Sequence, residues 1–425
     1  MTIVGLDDTD SRERGMCTTY LAARLAEAVV DAGGRVDRKL LIRLNPAVEH
    51  KTRGNAALAL HVDLEPEHAL DLATAELEPL AETADPRTSP GAVVADDDPS
   101  DVPEAVSTFT RRAIRDFLEP ADALRVADDA GYVHRGWAGG RGRIGALAAV
   151  GAWAALEEWT YEHISYRAFD RCGTPREVNT ESVFDAAAKF YPQAWDTVDR
   201  EEDEPVCVPN APGPILYGIR GDDPDAVSDL AARIDSESIE RSATFLTNQG
   251  TDVHLREGTL GELRDGCAYR VDGTVASDPE TRRGGHVFFD LEARGDADDS
   301  VDCVAFEPTK RFRDRVRALR SGDEVTVCGE VSDGTIKLEK FAVRSLRRTV
   351  ETTPTCGECG RSMESAGRNQ GYRCRDCGTS RSGPETVSVD RDLDVGWYEV
   401  PPCARRHIAK PLVRGGFDAP THPER

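Results

Sequence analysis

Lysine is nearly missing from this chain: of 425 residues 53 are basic, and only seven of those are lysine. Acidic side chains number 77, which sets the formal charge at −24. Phosphate neutralisation dominates ordinary affinity for DNA and RNA, so a shortage of positive charge argues at first against a nucleic-acid partner. The arginine-for-lysine, aspartate-rich balance is halophile-like, however. In concentrated salt the Debye length falls to about 3 Å, and stacking, short contacts and metal-ordered modules then carry recognition. The sign of the charge also reverses along the chain. Residues 1–304 carry 31 basic and 59 acidic side chains, whereas residues 305–425 carry 22 and 18. An acidic front with a locally basic rear suits a protein whose rear holds a polyanion while its front does chemistry.

Long apolar runs are missing too. No stretch approaches the ~18 residues of a membrane span, and the amino terminus lacks a signal-peptide layout, so a cytoplasmic protein with no membrane partner is expected. The 11 cysteines are odd in number and four of them cluster, which points to metal ligation in a reducing compartment and away from a disulfide framework. Internal repeats and low-complexity tracts are absent. A single core seldom grows past ~250–300 residues, so two to four domains are expected.

The front segment reads as mixed α/β: a strand at Ile3-Val4, a helix from Thr18 to Ala32 closed by Gly33-Gly34, strands near Leu40–Leu44 and Leu58–Val62, and helices near Ala69–Leu80 and Pro103–Leu118. Asp85 to Asp101, rich in Pro, Asp and Ser, reads as a surface loop. A second unit begins near Val126 with an apolar helix Ile144–Trp159, a polar stretch and a Pro-rich loop from Pro205 to Pro214. It continues with a strand at Ile215–Tyr217, a helix at Pro224–Ile234 and a strand at Ala243–Leu246. A third unit has strand patterns at Tyr269–Val275, His286–Leu291, Val301–Phe306, Glu324–Val331 and Thr335–Val343, with a basic helix Lys310–Leu319 in the slot expected of an OB-fold barrel. That helix is either a nucleic-acid contact or a solvated face.

Chemistry concentrates at Gly5-Leu6-Asp7-Asp8-Thr9-Asp10-Ser11, ahead of Gly15–Thr19. Three carboxylates on one strand-to-helix turn repel one another. Either they cap the following helix or they hold a cation, and hard oxygens suit Mg²⁺ and hence ATP. Cys356-x-x-Cys359 and Cys374-x-x-Cys377 have the spacing of a tetrahedral, structural zinc ribbon, with Gly357, Gly360 and Gly378 at the knuckles. Arg361, Arg368, Tyr372, Arg373 and Arg375 decorate it, fitting either nucleic-acid contact or solvation. Gly140-Arg141-Gly142-Arg143-Ile144-Gly145 contains a GxGxxG string without a clear preceding strand, which disfavours a dinucleotide fold but leaves amides and two arginines able to hold phosphate. Lys51-Thr52-Arg53-Gly54-Asn55 joins two strands as a phosphate clamp or a plain loop. Asn248–Asp252 with His254 is a further polar cluster.

In this order, and with Tyr217-Gly218-Ile219-Arg220-Gly221, these segments resemble the archaeal isoleucine-tRNA 2-agmatinylcytidine synthetases over almost the whole length. The resemblance implies a multidomain α+β architecture. Its parts would be a kinase-like catalytic domain (residues 1–125), a ferredoxin-like domain (126–258), an OB-fold domain (266–348), a zinc ribbon (352–382) and a C-terminal extension (383–425). It also implies an ATP-dependent ligase that joins agmatine to the wobble cytidine of the CAU-anticodon isoleucine tRNA, so that AUA is read instead of AUG. A cytosine carbonyl is a poor electrophile; phosphorylation from ATP would turn its oxygen into a leaving group, and catalysis of phosphoryl transfer is positioning plus charge neutralisation.

On this reading Asp7, Asp8 and Asp10 hold Mg²⁺, and Thr9, Ser11, Lys51, Arg53, Asn55, Gly140, Arg141, Gly142 and Arg143 bind nucleotide. Thr18 matches the family's autophosphorylated threonine and is also placed to serve as a helix N-cap. Cys356, Cys359, Cys374 and Cys377 hold Zn²⁺. Ser165-Tyr166-Arg167 and Asn248–Asp252 are candidates for the agmatine cage, and no obligate protein partner is expected. The SGGxDS loop of the bacterial lysidine synthetases is absent. The competing reading is a non-catalytic OB-fold and zinc-ribbon nucleic-acid-binding protein.

Overall fold

The computed structural model describes residues 1–51, 54–295 and 299–425. Its front half comprises β1 (Thr2–Asp7), α1 (Thr18–Asp31), β2 (Val36–Arg43), β3 (Ala56–Val62), α2 (Pro66–Leu77), β4 (Gly91–Asp96), α3 (Glu104–Arg115), α4 (Pro120–Asp129), β5 (Val133–Gly136), α5 (Arg143–Val150) and a short α6 (Ala152–Ala155). It is followed by β6 (Thr160–Arg167), α7 (Thr180–Phe190), β7 (Ala194–Trp195), β8 (Ile215–Gly221), α8 (Pro224–Ala231) and β9 (Ile239–Thr247).

These strands form one sheet of nine in the order β5-β4-β1-β3-β2-β9-β6-β8-β7. Neighbours run antiparallel except β2 and β9, which pair in parallel at Leu40–Leu246 and Leu41–Thr247. The sheet continues without a break across residue 125, because β5 pairs with β4 and α5 packs on β1, β3 and β4. The central strands are apolar on both faces, as strands covered on both sides must be. Ile3, Leu40, Ile42, Ala57 and Val93 face α3, α4 and α5, while Val4, Leu6, Leu41, Leu58 and Val94 face α1 and α2.

Three elements differ from expectation. The loop expected from Asp85 to Asp101 contains β4, buried between β1 and β5, because Gly91-Ala-Val-Val-Ala is apolar on both faces despite its Pro and Asp flanks. The polar stretch expected after the apolar helix Ile144–Trp159 contains β6 and α7. In β6 the polar residues are buried because they are paired: Glu162 accepts from Arg43 (2.8 Å) and lies 3.4 Å from Arg220, and Arg167 is bonded to Glu237 (2.7 Å). The helix expected over Ile144–Trp159 breaks at Gly151, and Leu156 is already extended.

The rear half begins with β10 (Leu255–Glu257), β11 (Ala268–Val275), β12 (Glu280–Thr281), β13 (Val287–Glu292), β14 (Ser300–Ala305), α9 (Phe312–Arg317), β15 (Glu324–Ser332) and β16 (Thr335–Ser345). Pairing runs β11-β13-β14-β16-β15 and back to β11, a closed barrel with β14 and β16 parallel and α9 between the third and fourth strands. That is the connectivity expected of an OB barrel. Phe289, Phe312, Val327 and Phe341 fill it. The basic helix is shorter than expected, and the two basic residues just ahead of it are paired: Lys310 with Glu202 (3.2 Å), and Arg311 with Asp199 (3.0 Å) and Glu424. They tie the barrel to the middle of the chain. Thr349–Thr352 and Glu385–Ser388 pair as a stalk carrying the cysteine module, after which Gly396–Glu399 returns to extend the barrel sheet on β16.

Candidate functional site

β1 ends at Asp7, and the chain then turns through Asp8, whose φ of 62° lies in the left-handed region that Asp tolerates better than most residues. The turn is fixed from within. The amide of Asp8 donates to Asp7 Oδ1 (2.7 Å), and the amide of Ser89 donates to Asp8 Oδ2 (2.9 Å). Opposite lies the first turn of α5, brought so close that a Cβ on Gly145 would overlap Asp7 Oδ2 and one on Gly91 would overlap the amide of Arg143. The glycines of the GxGxxG string therefore serve the close approach of helix to sheet. A short strand, β5, does precede that string, contrary to expectation.

Between β1, α5, the end of α3 and the loop after β2 lies an open cleft. It brings together Asp7, Asp8, Asp10, Lys51, Asn55, Arg141 and Gly142. Burial first, and then the neighbouring Asp8 charge, push the Asp7 carboxyl well above the usual carboxylate range. Asp8 is raised to about 7, chiefly by burial, with Asp10 adding to the rise and the Ser89 amide and Arg141 opposing it. Crowded carboxylates that resist ionisation are what a divalent cation held by hard oxygens relieves, although among the described residues only Cys356, Cys359, Cys374 and Cys377 converge as a ligand group. Burial also lowers Lys51, whose ammonium donates to the carbonyl of Pro46. Asn55 is oriented by donating to the carbonyl of Asn45 (2.8 Å).

Other expected residues stand outside the cleft. Thr9 is fully buried and its hydroxyl donates to Thr18 Oγ1 (3.0 Å). Thr18 is the first helical residue and not the cap, which is Cys17. Ser11 organises the turn: its hydroxyl donates to Asp85 (2.7 Å) and accepts from the amides of Glu13 and Arg14. Arg143 folds back to donate to the Gly140 carbonyl (2.9 Å), bracing the loop. Arg53 lies outside the described residues.

In the two candidate agmatine cages Asn248, Asp252 and Arg167 hold structural contacts, whereas the Ser165 and Tyr166 hydroxyls and Gln249 Oε1 are buried without a hydrogen-bond partner among the described residues. Asn248 bonds both the amide and the carbonyl of Arg43 (2.7 and 3.0 Å), and Asp252 binds Lys340 (2.8 Å). His254 is buried and pushed down to about 4, with Nε2 against the Arg43 carbonyl. Arg167 is fully buried on Glu237.

Several residues in or behind the cleft carry no sequence signal. Ser89 bonds Asp8, the Ala138 carbonyl and the Arg141 amide, yet it sits in what reads as a surface loop. His50, Asp116, Phe117 and Leu118 reach the cleft from separate segments, which only the folded chain brings together.

Far along the chain, the Sγ atoms of Cys356, Cys359, Cys374 and Cys377 lie within 4.8 Å of one another. Gly360 and Gly378, with φ of 69° and 73°, turn the two knuckles, and their amides donate to the carbonyls of Cys356 and Cys374 (2.9 and 3.0 Å). Four convergent thiols with no open position fit a structural Zn²⁺. Two of the ribbon arginines are paired, Arg361 with Asp376 and Arg375 with Glu364.

Three family models match: the TiaS TCKD domain over residues 3–64, the TiaS FLD domain over 140–254 and the TiaS C-terminal zinc ribbon domain over 353–393. The chain is 60% identical to the isoleucine-tRNA 2-agmatinylcytidine synthetase TiaS of Haloquadratum walsbyi, with 100% of both chains covered. It is 46% identical to that of Methanosarcina mazei over 97% of both. Among solved structures it is similar to a complex of TiaS with its isoleucine tRNA and ATP (TM-score 0.88, 43% identity, 100% of this chain and 99% of that one). It is also similar to a complex of TiaS with the same tRNA, AMPCPP and agmatine (TM-score 0.87, 40% identity, 100% and 99%).

Proposed function

This chain belongs to the isoleucine-tRNA 2-agmatinylcytidine synthetase (TiaS) family, and from that premise we infer an ATP-dependent ligase that joins agmatine to the wobble cytidine of the CAU-anticodon isoleucine tRNA. One observation in the fold carries the reading: a single cleft collects Asp7, Asp8, Asp10, Lys51, Asn55 and Arg141 from three separate segments. In this reading the kinase-like unit is residues 1–125 and the ferredoxin-like one residues 126–258, so that α5, which packs on β1, β3 and β4 of the first, belongs to the second. The enzyme works in the cytoplasm beside its tRNA.

The chemistry needs two displacements. The cytosine ring oxygen first takes the γ-phosphoryl group with loss of ADP. The primary amine of agmatine then attacks the activated ring carbon, the carbon–oxygen bond breaks, and phosphate leaves with the original oxygen while the amine gives up a proton. Asp7, Asp8 and Asp10 are the residues that would hold Mg²⁺, and the ion would offset phosphate charge as it develops. Lys51 and Arg141 face the phosphates as cations and Asn55 as a neutral donor, while the Gly142 amide is spent on the Ser89 carbonyl (2.8 Å). Arg143 and Gly140 shape the loop, and Thr9 and Ser11 hold the acidic turn from behind. Thr18, whose hydroxyl oxygen accepts from Thr9, is the position expected to be phosphorylated. The barrel and ribbon deliver the anticodon loop, the four cysteines holding Zn²⁺ for shape alone.

The test is purified protein in molar KCl with Mg-ATP, labelled agmatine and a CAU isoleucine tRNA transcript. Label on the RNA is expected, and its absence with folded protein removes the reading. A non-catalytic RNA-binding protein has no use for three crowded carboxylates.

A further inference from the structure

The catalytic cleft does not end at its own wall. A second cavity, lined by Gly266, Glu330 and Ser332 of the barrel side, shares Val48, His50, Phe117, Leu118 and Arg141 with it, so these five residues form a neck between the acidic turn and the barrel mouth. Three of the five are apolar, in a chain whose surface is dominated by carboxylates. Phe117 stands out among them because it is 51% exposed yet firmly anchored.

Its anchoring comes from both sides. Asp116, next in the chain, is ion-paired with Arg256 (2.6 Å) and Arg264 (3.3 Å). The ring edge rests on Gly266, whose φ is +75° and where a Cβ would overlap Cε2 of Phe117. Gly266 is itself held by Asn45, whose side-chain amide donates to its carbonyl (3.0 Å). No other aromatic ring pairs with Phe117 among the described residues. A half-exposed ring seated on Gly266 and lining both cavities is not simple core packing.

Single-stranded loops are read by splaying bases onto aromatic side chains, and such stacking survives salt that screens phosphate attraction. We propose that Phe117 is the stacking platform that receives the target base in the neck between barrel and cleft. This rests on the family reading for the nature of the ligand, a pyrimidine base in an RNA loop. It explains why the joint between the two units is built around a glycine: a side chain at residue 266 would take the ring's place.

The experiment places pyrrolocytidine at the wobble position of the tRNA and reads its fluorescence on binding in molar KCl without ATP or agmatine. Wild-type protein should quench it. Phe117→Leu, which keeps the bulk and the seat on Gly266, and Phe117→Ala should bind the tRNA yet leave it unquenched, while Phe117→Trp should quench. In the transfer assay, the Leu and Ala variants should lose about tenfold or more in kcat/KM for tRNA. Quenching that persists in Phe117→Leu, or unchanged kinetics toward tRNA, overturns the platform. Wild-type protein that quenches but transfers no agmatine supports the platform and removes the family reading instead.

Discussion

Asp8 joins two demands in one residue: a left-handed backbone and a half-buried carboxyl raised to about 7 by burial. The two are separable by substitution. Asn keeps the left-handed turn at little cost, whereas Ala there costs about 1–2 kcal/mol of backbone strain. Asp8→Asn should therefore lose transfer by about 10²-fold or more while melting no lower than wild type, and Asp8→Ala should lose both activity and melting temperature. The same carboxyl sets a pH dependence. Its folded pKa is raised, so its favourable contribution is fully present below the unfolded value near 3.8 and is lost as pH rises through about 7. Protein free of added Mg²⁺ should lose stability over that window. Excess Mg²⁺ should recover the loss at pH 8 and do little at pH 5, and melting curves at the two pH values with and without the ion check it. The acidic turn was legible in the sequence because it is contiguous. Ser89, which positions Asp8, was not, because its role depends on an 81-residue separation that only the sheet closes.

At the scale of elements, the decisive contact is α5 against β1. Gly→Ala in a helix ordinarily stabilises by about 0.5–1 kcal/mol. At Gly145 the added methyl would instead overlap the Asp7 carboxylate, so repulsion decides the sign and the helix or the aspartate must move. Gly145→Ala should lower the melting temperature and cut agmatine transfer by about 10²-fold, as displacements near 1 Å do. Kinetics and thermal melts of that one variant test it. Elements were legible where pattern and burial agreed: all five barrel strands alternate or run apolar, and their observed bounds fall within two residues of expectation. They were hidden where charge is buried in pairs, as with Glu162 and Arg167 on β6. The nine-stranded continuity was hidden as well, since the joining β2–β9 pair spans some two hundred residues and rests on two paired positions.

Over the whole molecule, the ribbon is a side branch and the C-terminal segment is a strap. The ribbon enters and leaves through a single two-stranded stalk. Replacing Cys356 and Cys374 with Ser should then abolish Zn²⁺ retention and weaken tRNA binding, while the main melting transition and ATP binding persist; metal content, calorimetry and nucleotide titration check this. The strap behaves in the opposite way, because Arg405 is buried between Asp196 and Glu399 (2.9 Å to the latter) and joins the C-terminal segment to the middle of the chain. Burial raises both carboxyls, Glu399 to about 7, while Arg405 pulls them back. Removing one partner of a buried pair costs about 3–5 kcal/mol, because the charges left behind have no compensation. Arg405→Met should therefore melt well below wild type at pH 8. Without the cation both carboxyls rise further, so the protonated forms relieve the variant as pH falls, and its deficit should shrink at pH 5. Denaturation of wild type and variant at those two pH values decides the matter: a deficit that stays constant with pH would mean that Arg405 holds the strap by packing alone.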